Sequence, residues 1–248
     1  MVRDTRIIMG MPISVEVVDT ILPKPIEDVF CYFHAVDARF SVYKCDSEIS
    51  LFNQGRIPRS ELGLEMKEVF ALAEKTKQDT HGFFEITRPN GQIDPSGIVK
   101  GWAIKNAAQM LHDEGYRNYF VDAGGDIQAE GLNADGENWR VGIRSPFNNH
   151  DVIKVVNLSG QGIATSGNYV RGNHIYNPHR ANDTIGNMVS LSVIGPDVLE
   201  ADCFATAAFA MGEDGIYFIE TLNGFEGYAV NAQGIATMTT GFDAYVIS

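Results

Sequence analysis

Apolar positions recur with helical spacing in several segments of the chain. Residues 25–38 carry such a pattern with a proline near its start, which predicts a helix that begins there. The same spacing predicts helices over residues 61–80, 96–112 and 197–211, each followed closely by a glycine. Residues 215–223 favour helical or mixed structure.

Segments rich in β-branched and aromatic residues lie between these helices. Partial alternation over residues 6–18 predicts one early strand. Helices and hairpins recur without regular βαβ alternation, so the pattern predicts an α+β fold with antiparallel sheets. No repeat or linker divides the chain, and we expect a single domain over residues 1–248. The remaining strands are predicted within residues 118–131, 139–146, 155–167, 189–196 and 227–242, the last as a hairpin that turns near residues 231–234.

Acidic residues outnumber basic ones. The 248 residues include 19 Lys and Arg against 32 Asp and Glu, which gives a formal net charge of -13. This charge disfavours binding to nucleic acids or anionic membranes, so we expect no nucleic-acid partner. An anionic small substrate would need a cation or backbone amides beside it.

Three cysteines, Cys31, Cys45 and Cys203, are scattered along the chain without a CxxC pair. Such sparse, odd usage suits a reducing compartment. No apolar run is long enough to span a bilayer, and the apolar stretch near the first residue is too short and broken for a signal peptide. We therefore expect a cytoplasmic protein without membrane insertion.

One predicted helix places a carboxylate among small and apolar residues. Asp202 lies in the 197–211 segment, and Thr206 follows four residues later on the same face. A buried carboxylate is costly unless it is paired, hydrogen-bonded or bound to metal, and this oxygen pair suits a hard cation such as Mg²⁺. The alternative is an aspartate capped by neighbouring amides, with Thr206 bonded to a carbonyl of its own helix. The helix alone favours that alternative.

A turn through Asp94, Pro95, Ser96 and Gly97 leads into the 96–112 helix. Glycine lets a ligand approach the backbone, and free amides at a helix start bind phosphate. Lys100, in the first turn of the helix, could face such a phosphate. The alternative is an ordinary helix start with a solvated lysine, and the segment alone favours it.

Two further segments carry weaker signals. Gly124 and Gly125 follow a predicted strand and mark a tight turn with Asp126 beyond it, which is no dinucleotide fingerprint. Tyr43 begins a polar and aromatic stretch before a glycine turn, and its ring could stack on a planar ligand. A helix cap followed by a short amphipathic turn explains that stretch equally well.

Small polar residues form a third weak motif. Thr165, Ser166 and Gly167 make a loop, and His174 follows in a segment rich in glycine and asparagine. A histidine in such a place could act as a general base. A surface histidine is the commoner case.

The order of these motifs is more specific than any one of them. After MG near the start come SVYKCDSEISLFN, GFFEIT, DPSGIVKGWA, DAGGDI, ATSGNY, HIYNP and EADCFATAAFAMG, and in sequence and order they resemble the FAD:protein FMN transferase (ApbE-type) family. The resemblance extends along nearly the whole chain. It implies a T-fold-like α+β protein of two interlocked halves that binds FAD extended in a cleft.

The resemblance also implies roles for individual residues. Asp202 and Thr206 match the ligands of a Mg²⁺ ion, to which Gly97 can offer only its carbonyl. His174 matches the family's candidate base. Contacts with FAD are implied for Asp94 and Lys100 on the nucleotide, for Met9, Tyr43, Phe83, Phe84 and Glu85 on the flavin or adenine side, and for Thr165 and Ser166.

The reaction implied by the resemblance is phosphoryl transfer. FAD is split, FMN becomes attached by a phosphoester bond to a Ser or Thr hydroxyl of an acceptor flavoprotein, and AMP leaves. Two alternatives stay open: an FAD diphosphatase that uses water, and a flavin-binding protein without turnover. The sequence does not separate transferase from diphosphatase, because the acceptor lies on another chain.

The chain departs from the family pattern at several positions. Met11 stands where Thr is usual, Asn177 replaces an Asp, and Pro95 and Ser96 replace Leu and Gly. The segment over residues 88–93 is short where many relatives carry an insertion. These departures bear on the lid of the pocket and on acceptor docking more than on the metal site.

Overall fold

Antiparallel pairing builds two sheets in the part of the chain that the structure describes. The computed structural model describes residues 1–148, 150–167, 175–180 and 185–247. In the larger sheet eight strands follow the order β1-β2-β3-β4-β7-β8-β9-β10, while β5 and β6 pair separately. Every paired neighbour is antiparallel, and the predicted α+β fold is confirmed. The strands are β1 (Val2–Ile8), β2 (Met11–Val17), β3 (Tyr119–Ala123), β4 (Asp126–Glu130), β5 (Trp139–Arg144), β6 (Val152–Leu158), β7 (Gly162–Gly167), β8 (Met188–Gly195), β9 (Glu226–Asn231) and β10 (Ala236–Met238).

Among the described helices, those that begin after Ser47 and Asp197 carry side-chain N-caps. Ser47 accepts a hydrogen bond from the Ser50 N–H, and Asp197 accepts one from the Glu200 N–H. In the described part of the chain, no helix is both long and apolar enough to cross a membrane. The α-helices are α1 (Lys24–Phe40), α2 (Glu48–Asn53), α3 (Leu64–Asp79), α4 (Ser96–Asp113), α5 (Val198–Ala210) and α6 (Gly215–Glu220), with 3-10 turns at Arg59–Glu61, Gly212–Asp214 and Phe242–Tyr245.

The larger sheet packs on both faces. Leu191 and Val193 of β8 join a core with α5 and α6, whereas the neighbouring Ile194 joins Trp139 and Leu158 of the two-stranded sheet. This alternation follows from the two-residue period of a strand. At the other end, α1 and α4 bury their apolar faces against β2 and β3, and α3 packs against α4. Helices α4 and α5 also contact each other beside the central strands β3, β4, β7 and β8.

Three element boundaries differ from the sequence prediction. The single strand predicted over residues 6–18 is wrong, because Met9 and Gly10 form a turn with positive φ angles of 56° and 73° between β1 and β2. Ile7 and Ile8 end β1, and Met11 and Ile13 begin β2, so the apolar pattern continues across the turn. The helix predicted over residues 61–80 starts at Leu64, after a 3-10 turn, and residues 155–167 are divided between β6 and β7.

Candidate active site

A cavity of about 620 Å³ lies where the β1–β2 turn, the β3–β4 turn and the start of α4 meet. Its walls combine aromatic, glycine and charged residues, as is common in sites for small molecules. The cavity gathers most of the residues that the sequence singled out. Those that line it are Phe83, Phe84, Glu85, Asp94, Gly97, Lys100, Thr165, Ser166, Asp202 and Thr206.

Helices α4 and α5 approach each other closely at Gly101. A Cβ atom at this position would lie 2.9 Å from both the Asp202 Cβ and the Leu199 Cα, so a larger residue would push the helices apart. The Gly101 N–H donates a hydrogen bond of 2.9 Å to Asp202 Oδ2. Asp202 is only 3% exposed. The close approach therefore places a buried carboxylate of α5 beside the first turns of α4.

Several oxygen atoms surround Asp202. Thr206 lies one turn further along α5, and its hydroxyl is 3.4 Å from that of Ser166. Gly97 is adjacent, since a Cβ built on it would lie 3.7 Å from the Thr206 Cγ2. In a regular helix the Gly101 N–H points towards the Gly97 carbonyl, so Asp202 lies near that carbonyl as well.

These donors suit a hard divalent cation. Carboxylate, hydroxyl and carbonyl oxygens are the ligands that Mg²⁺ prefers, and it needs few carboxylates when it keeps water or phosphate oxygens. The described residues include no group of three or more His, Cys, Asp or Glu side chains arranged as a metal site. A metal held here would thus have Asp202 as its carboxylate ligand, with neutral oxygens from Thr206 and Gly97.

Lys100 lies between two acidic side chains. It forms an ion pair with Asp126 Oδ2, and its Nζ is 3.7 Å from Asp202 Oδ1. The expectation of a solvated lysine, which the segment alone favoured, is therefore wrong. Burial raises the pKa of Asp202; Lys100 opposes that rise and the negative Asp126 adds to it. Asp126 is itself buried, and its Oδ1 accepts a hydrogen bond of 3.0 Å from the Thr165 N–H.

Asp94 organises the start of α4. Its Oδ1 accepts hydrogen bonds from the Ser96 N–H at 3.0 Å and from the Ser96 hydroxyl at 2.6 Å, and Arg88 contacts its other oxygen at 2.5 Å. Burial would raise the pKa of Asp94, but the bonds from Ser96 and Arg88 outweigh it and the pKa is lowered. Asp94 thus stays ionised at the mouth of the cavity.

Aromatic and polar contacts connect residues 83–88 with residues 175–180. The Phe83 ring meets the His179 ring edge-on, with centroids 4.7 Å apart. The Tyr176 hydroxyl donates a hydrogen bond of 3.4 Å to the Thr87 carbonyl. Glu85 pairs with Lys77 at 2.6 Å. One wall of the cavity is thus formed by two segments distant in sequence.

Two of the predicted site residues, Met9 and Tyr43, do not line the cavity. Met9 is half-buried in the β1–β2 turn, next to Gly10, which does line the cavity. Tyr43 is 94% exposed and lies in a second groove of about 690 Å³ that shares Arg88 and Asp94 with the first cavity. His174 lies outside the described residues; Ile175, Tyr176 and Pro178, which follow it, line the cavity.

The structure adds cavity residues that sequence reasoning did not select. Asp122 precedes the Gly124–Gly125 turn, and burial raises its pKa although the Gly125 N–H donates to its Oδ1 at 2.8 Å. Its position directly before a predicted glycine turn could have identified it as a candidate site residue. Arg88, Arg144 and Tyr176 also line the cavity. Nothing in their local sequence distinguishes them from surface residues.

One protein-family model matches most of this chain. The model of the ApbE family matches residues 9–90 and 86–229. The chain belongs to the ApbE family. Both matched stretches contain cavity residues, from Phe83 in the first to Thr206 in the second.

Curated ApbE relatives are longer than this chain. The FAD:protein FMN transferase of Salmonella typhimurium is 33% identical over 141 residues, which cover 53% of this chain and 40% of the relative. The protein of the same name from Escherichia coli K12 is 28% identical over 207 residues, which cover 78% and 59%. The chain thus spans about half the length of the curated relatives it matches.

Solved structures share the fold along almost the whole chain. The flavin transferase ApbE from Vibrio cholerae superposes with a TM-score of 0.85 at 23% identity and covers 98% of both chains. The ApbE protein from Thermotoga maritima gives the same TM-score at 21% identity and covers 100% of this chain and 99% of that one. The likeness confirms an ApbE flavin-transferase fold.

Proposed function

We propose that this protein is a Mg²⁺-dependent FAD:protein FMN transferase, which moves FMN from FAD to a Ser or Thr hydroxyl of an acceptor flavoprotein and releases AMP. Membership of the ApbE family and the names of its curated relatives support this activity. The observation that carries the proposal is the convergence of Gly97, Asp202 and Thr206 with Lys100 at one cavity.

In this proposal Asp202, Thr206 and the Gly97 carbonyl hold Mg²⁺. When bound, the ion supplies positive charge that offsets the FAD diphosphate and the charge developing during phosphoryl transfer. Such compensation matters in a chain with a formal net charge of -13. Lys100 and the N-terminal turn of α4, which is the positive end of the helix, would orient the diphosphate from the same side.

The chemical step joins the acceptor oxygen to the FMN-side phosphorus. The bond from that phosphorus to the bridging oxygen breaks, AMP leaves with the bridging oxygen, and a phosphoester remains on the acceptor. We assign the hydroxyl proton to His174. This residue matches the family's candidate base, and Ile175, which follows it in the sequence, lines the cavity.

Aromatic residues would hold the ring systems of FAD. Phe83 and Phe84 line the cavity, and Tyr43 lies in the groove that shares Arg88 and Asp94 with it. An extended FAD could therefore pass from the cavity into the groove across Arg88. Flat aromatic side chains stack on such rings with little loss of conformational freedom.

We place the reaction in the cytoplasm. All three cysteines are free thiols; Cys31 and Cys45 are exposed, and Cys203 is buried. Free, exposed thiols are typical of a reducing compartment.

The test is incubation with FAD and Mg²⁺, with and without a purified candidate acceptor carrying a Ser or Thr site. The proposal predicts AMP together with an FMN-sized mass increase on the acceptor, and loss of both with EDTA. AMP and free FMN without any acceptor modification would instead identify an FAD diphosphatase. Bound FAD with no product would identify a binding protein without turnover.

A further inference from the structure

The charge arrangement around Lys100 is unusual because two buried carboxylates face one ammonium group. Asp126 and Asp202 are 2% and 3% exposed. Lys100 contacts Asp126 directly but remains 3.7 Å from Asp202. The ammonium group is thus shared unequally, and Asp126 is its closer partner.

Asp126 is held in place from the opposite side. Its Oδ1 accepts the Thr165 N–H at 3.0 Å, which ties β4 to β7. The residue begins β4 immediately after the turn at Gly124 and Gly125, whose φ angles are 65° and 100°. With one oxygen fixed to Thr165, the other is directed at Lys100.

This arrangement bears on cation binding. Two carboxylates and one ammonium group leave one net negative charge, which attracts a divalent cation. If Asp126 lost its charge, Asp202 would be the charged carboxylate of this pair that remains beside Lys100. The ammonium group would then compete with any cation for Asp202.

We propose that Asp126 is a positioning residue that holds Lys100 away from Asp202, so that Asp202 stays open to a divalent cation. The inference rests on the proposed function, in which Asp202 is a metal ligand. Asp126 acts in this account through Lys100 and does not contact the cation.

Asp126→Asn tests the inference directly. The amide keeps an oxygen for the Thr165 N–H but removes the charge that holds Lys100. Binding of Mn²⁺, followed by the electron paramagnetic resonance signal of the free ion, provides a readout that does not depend on turnover. It should be measured with and without FAD. The Kd for Mn²⁺ should rise about 10- to 100-fold, the usual effect of losing a residue that orients a metal ligand.

Lys100→Met separates positioning from direct ligation. Lys100→Met removes the ammonium group that would compete for Asp202, so in the absence of FAD this variant should bind Mn²⁺ at least as tightly as the wild type. Adding Asp126→Asn to that variant should change the Kd by less than about twofold, because the two effects are coupled. An equal loss of affinity in both backgrounds would mean that Asp126 acts on the cation itself, which overturns the inference.

Asp197→Asn is the matched control. Asp197 pairs with Lys105 at 2.6 Å and so also joins α4 to the start of α5. Asparagine keeps the cap on Glu200, and Mn²⁺ affinity should stay at the wild-type value. If Asp197→Asn weakens Mn²⁺ binding as much as Asp126→Asn does, the loss of affinity arises from general helix packing, and the inference is overturned.

The outcomes distinguish this inference from the proposed function. If the wild-type protein binds no Mn²⁺ with or without FAD, Asp202 has no metal role. That result contradicts both the proposed function and this inference. A wild type that binds Mn²⁺ while Asp126→Asn binds equally well overturns the positioning role alone. If Asp126→Asn does not fold, Lys100→Met decides, since weaker Mn²⁺ binding by that variant in the absence of FAD contradicts competition by Lys100.

Discussion

The Gly101 N–H donates a hydrogen bond of 2.9 Å to Asp202 Oδ2, across 101 positions of sequence. The bond is possible because Gly101 has no side chain, so α4 can approach α5 until the Asp202 Cβ lies 2.9 Å from where a Gly101 Cβ would be. This contact fixes the buried carboxylate relative to Gly97 and Lys100. The geometry of the site therefore depends on helix packing as much as on the residues that line the cavity.

Gly101→Ala should separate the two helices. The added methyl group would meet backbone atoms of Leu199 and Val198, which cannot rotate away. We expect the free energy of unfolding to fall by about 1–3 kcal/mol, measured by urea denaturation, and FAD cleavage to fall with it.

Gly97→Ala is the control on the same helix. Its new methyl group would lie at an ordinary 3.5 Å from Phe84, and the carbonyl oxygen is retained. The free energy of unfolding should not fall, because alanine is favoured over glycine in a helix by roughly 0.5–1 kcal/mol. Equal destabilisation by the two substitutions would contradict the close approach at Gly101.

Tyr43→Ala should weaken FAD binding about 5- to 100-fold, the range expected for the loss of one stacked ring. The Mg²⁺ concentration for half-maximal cleavage should not change, because Tyr43 lies in the second groove, away from Asp202. Fluorescence titration of FAD measures the affinity. Tyr217→Ala, another exposed tyrosine, serves as the control and should bind normally. An unchanged affinity in Tyr43→Ala would assign stacking to Phe83 or Phe84.

Much of this site follows from local sequence patterns. The four-residue spacing of Asp202 and Thr206 places them on one face of α5, and the turn before Gly97 marks the start of α4. The contacts of Lys100 with Asp126 and Asp202 do not follow, since they depend on how α4, α5 and β4 pack. Such long-range contacts leave no periodic signal in the sequence.

The folded state should lose the stabilisation supplied by Asp94 at low pH. Its pKa is lowered by Ser96 and Arg88 despite burial, so its ionised form stabilises the folded protein at pH values above the unfolded pKa of about 3.9. The difference in free energy of unfolding between the wild type and Asp94→Asn should be constant near neutrality. It should shrink as the pH falls below about 4, through the lowered folded pKa.

Urea denaturation at several pH values measures this difference. Asp135→Asn, which removes a carboxylate from an exposed turn, is the control. A difference between wild type and Asp94→Asn that is unchanged down to pH values well below 4 would contradict the role of Ser96 and Arg88 in holding the charge.

His174→Ala should leave FAD binding largely intact and slow FMN transfer by about a hundredfold or more, the scale for loss of a general base. Binding and transfer should be measured on the same preparation. Transfer at nearly the wild-type rate would exclude His174 as the base and direct attention to Thr165 and Ser166, which line the cavity.

The hairpin at the start of the chain shows a limit of pattern reading. Apolar residues continue from β1 into β2, and the turn at Met9 and Gly10 occupies two positions. Gly124 and Gly125, by contrast, carry the glycine signal of a tight turn and were predicted as one. The turn at Gly124 and Gly125 was predicted because two glycines are typical of a turn. The turn at Met9 and Gly10 was missed because methionine is not.

Asp202→Asn tests the central claim most directly. Asparagine nearly preserves the shape and can still accept the Gly101 N–H, but it removes the charge that would bind Mg²⁺. Thr206→Val, which removes a neutral oxygen, should be a milder variant. Thermal unfolding and AMP release from FAD should be measured on one sample across a Mg²⁺ titration. We predict that Asp202→Asn folds but releases no AMP at any Mg²⁺ concentration. A folded Asp202→Asn protein that still cleaves FAD and is still inhibited by EDTA would place the metal elsewhere and contradict this account.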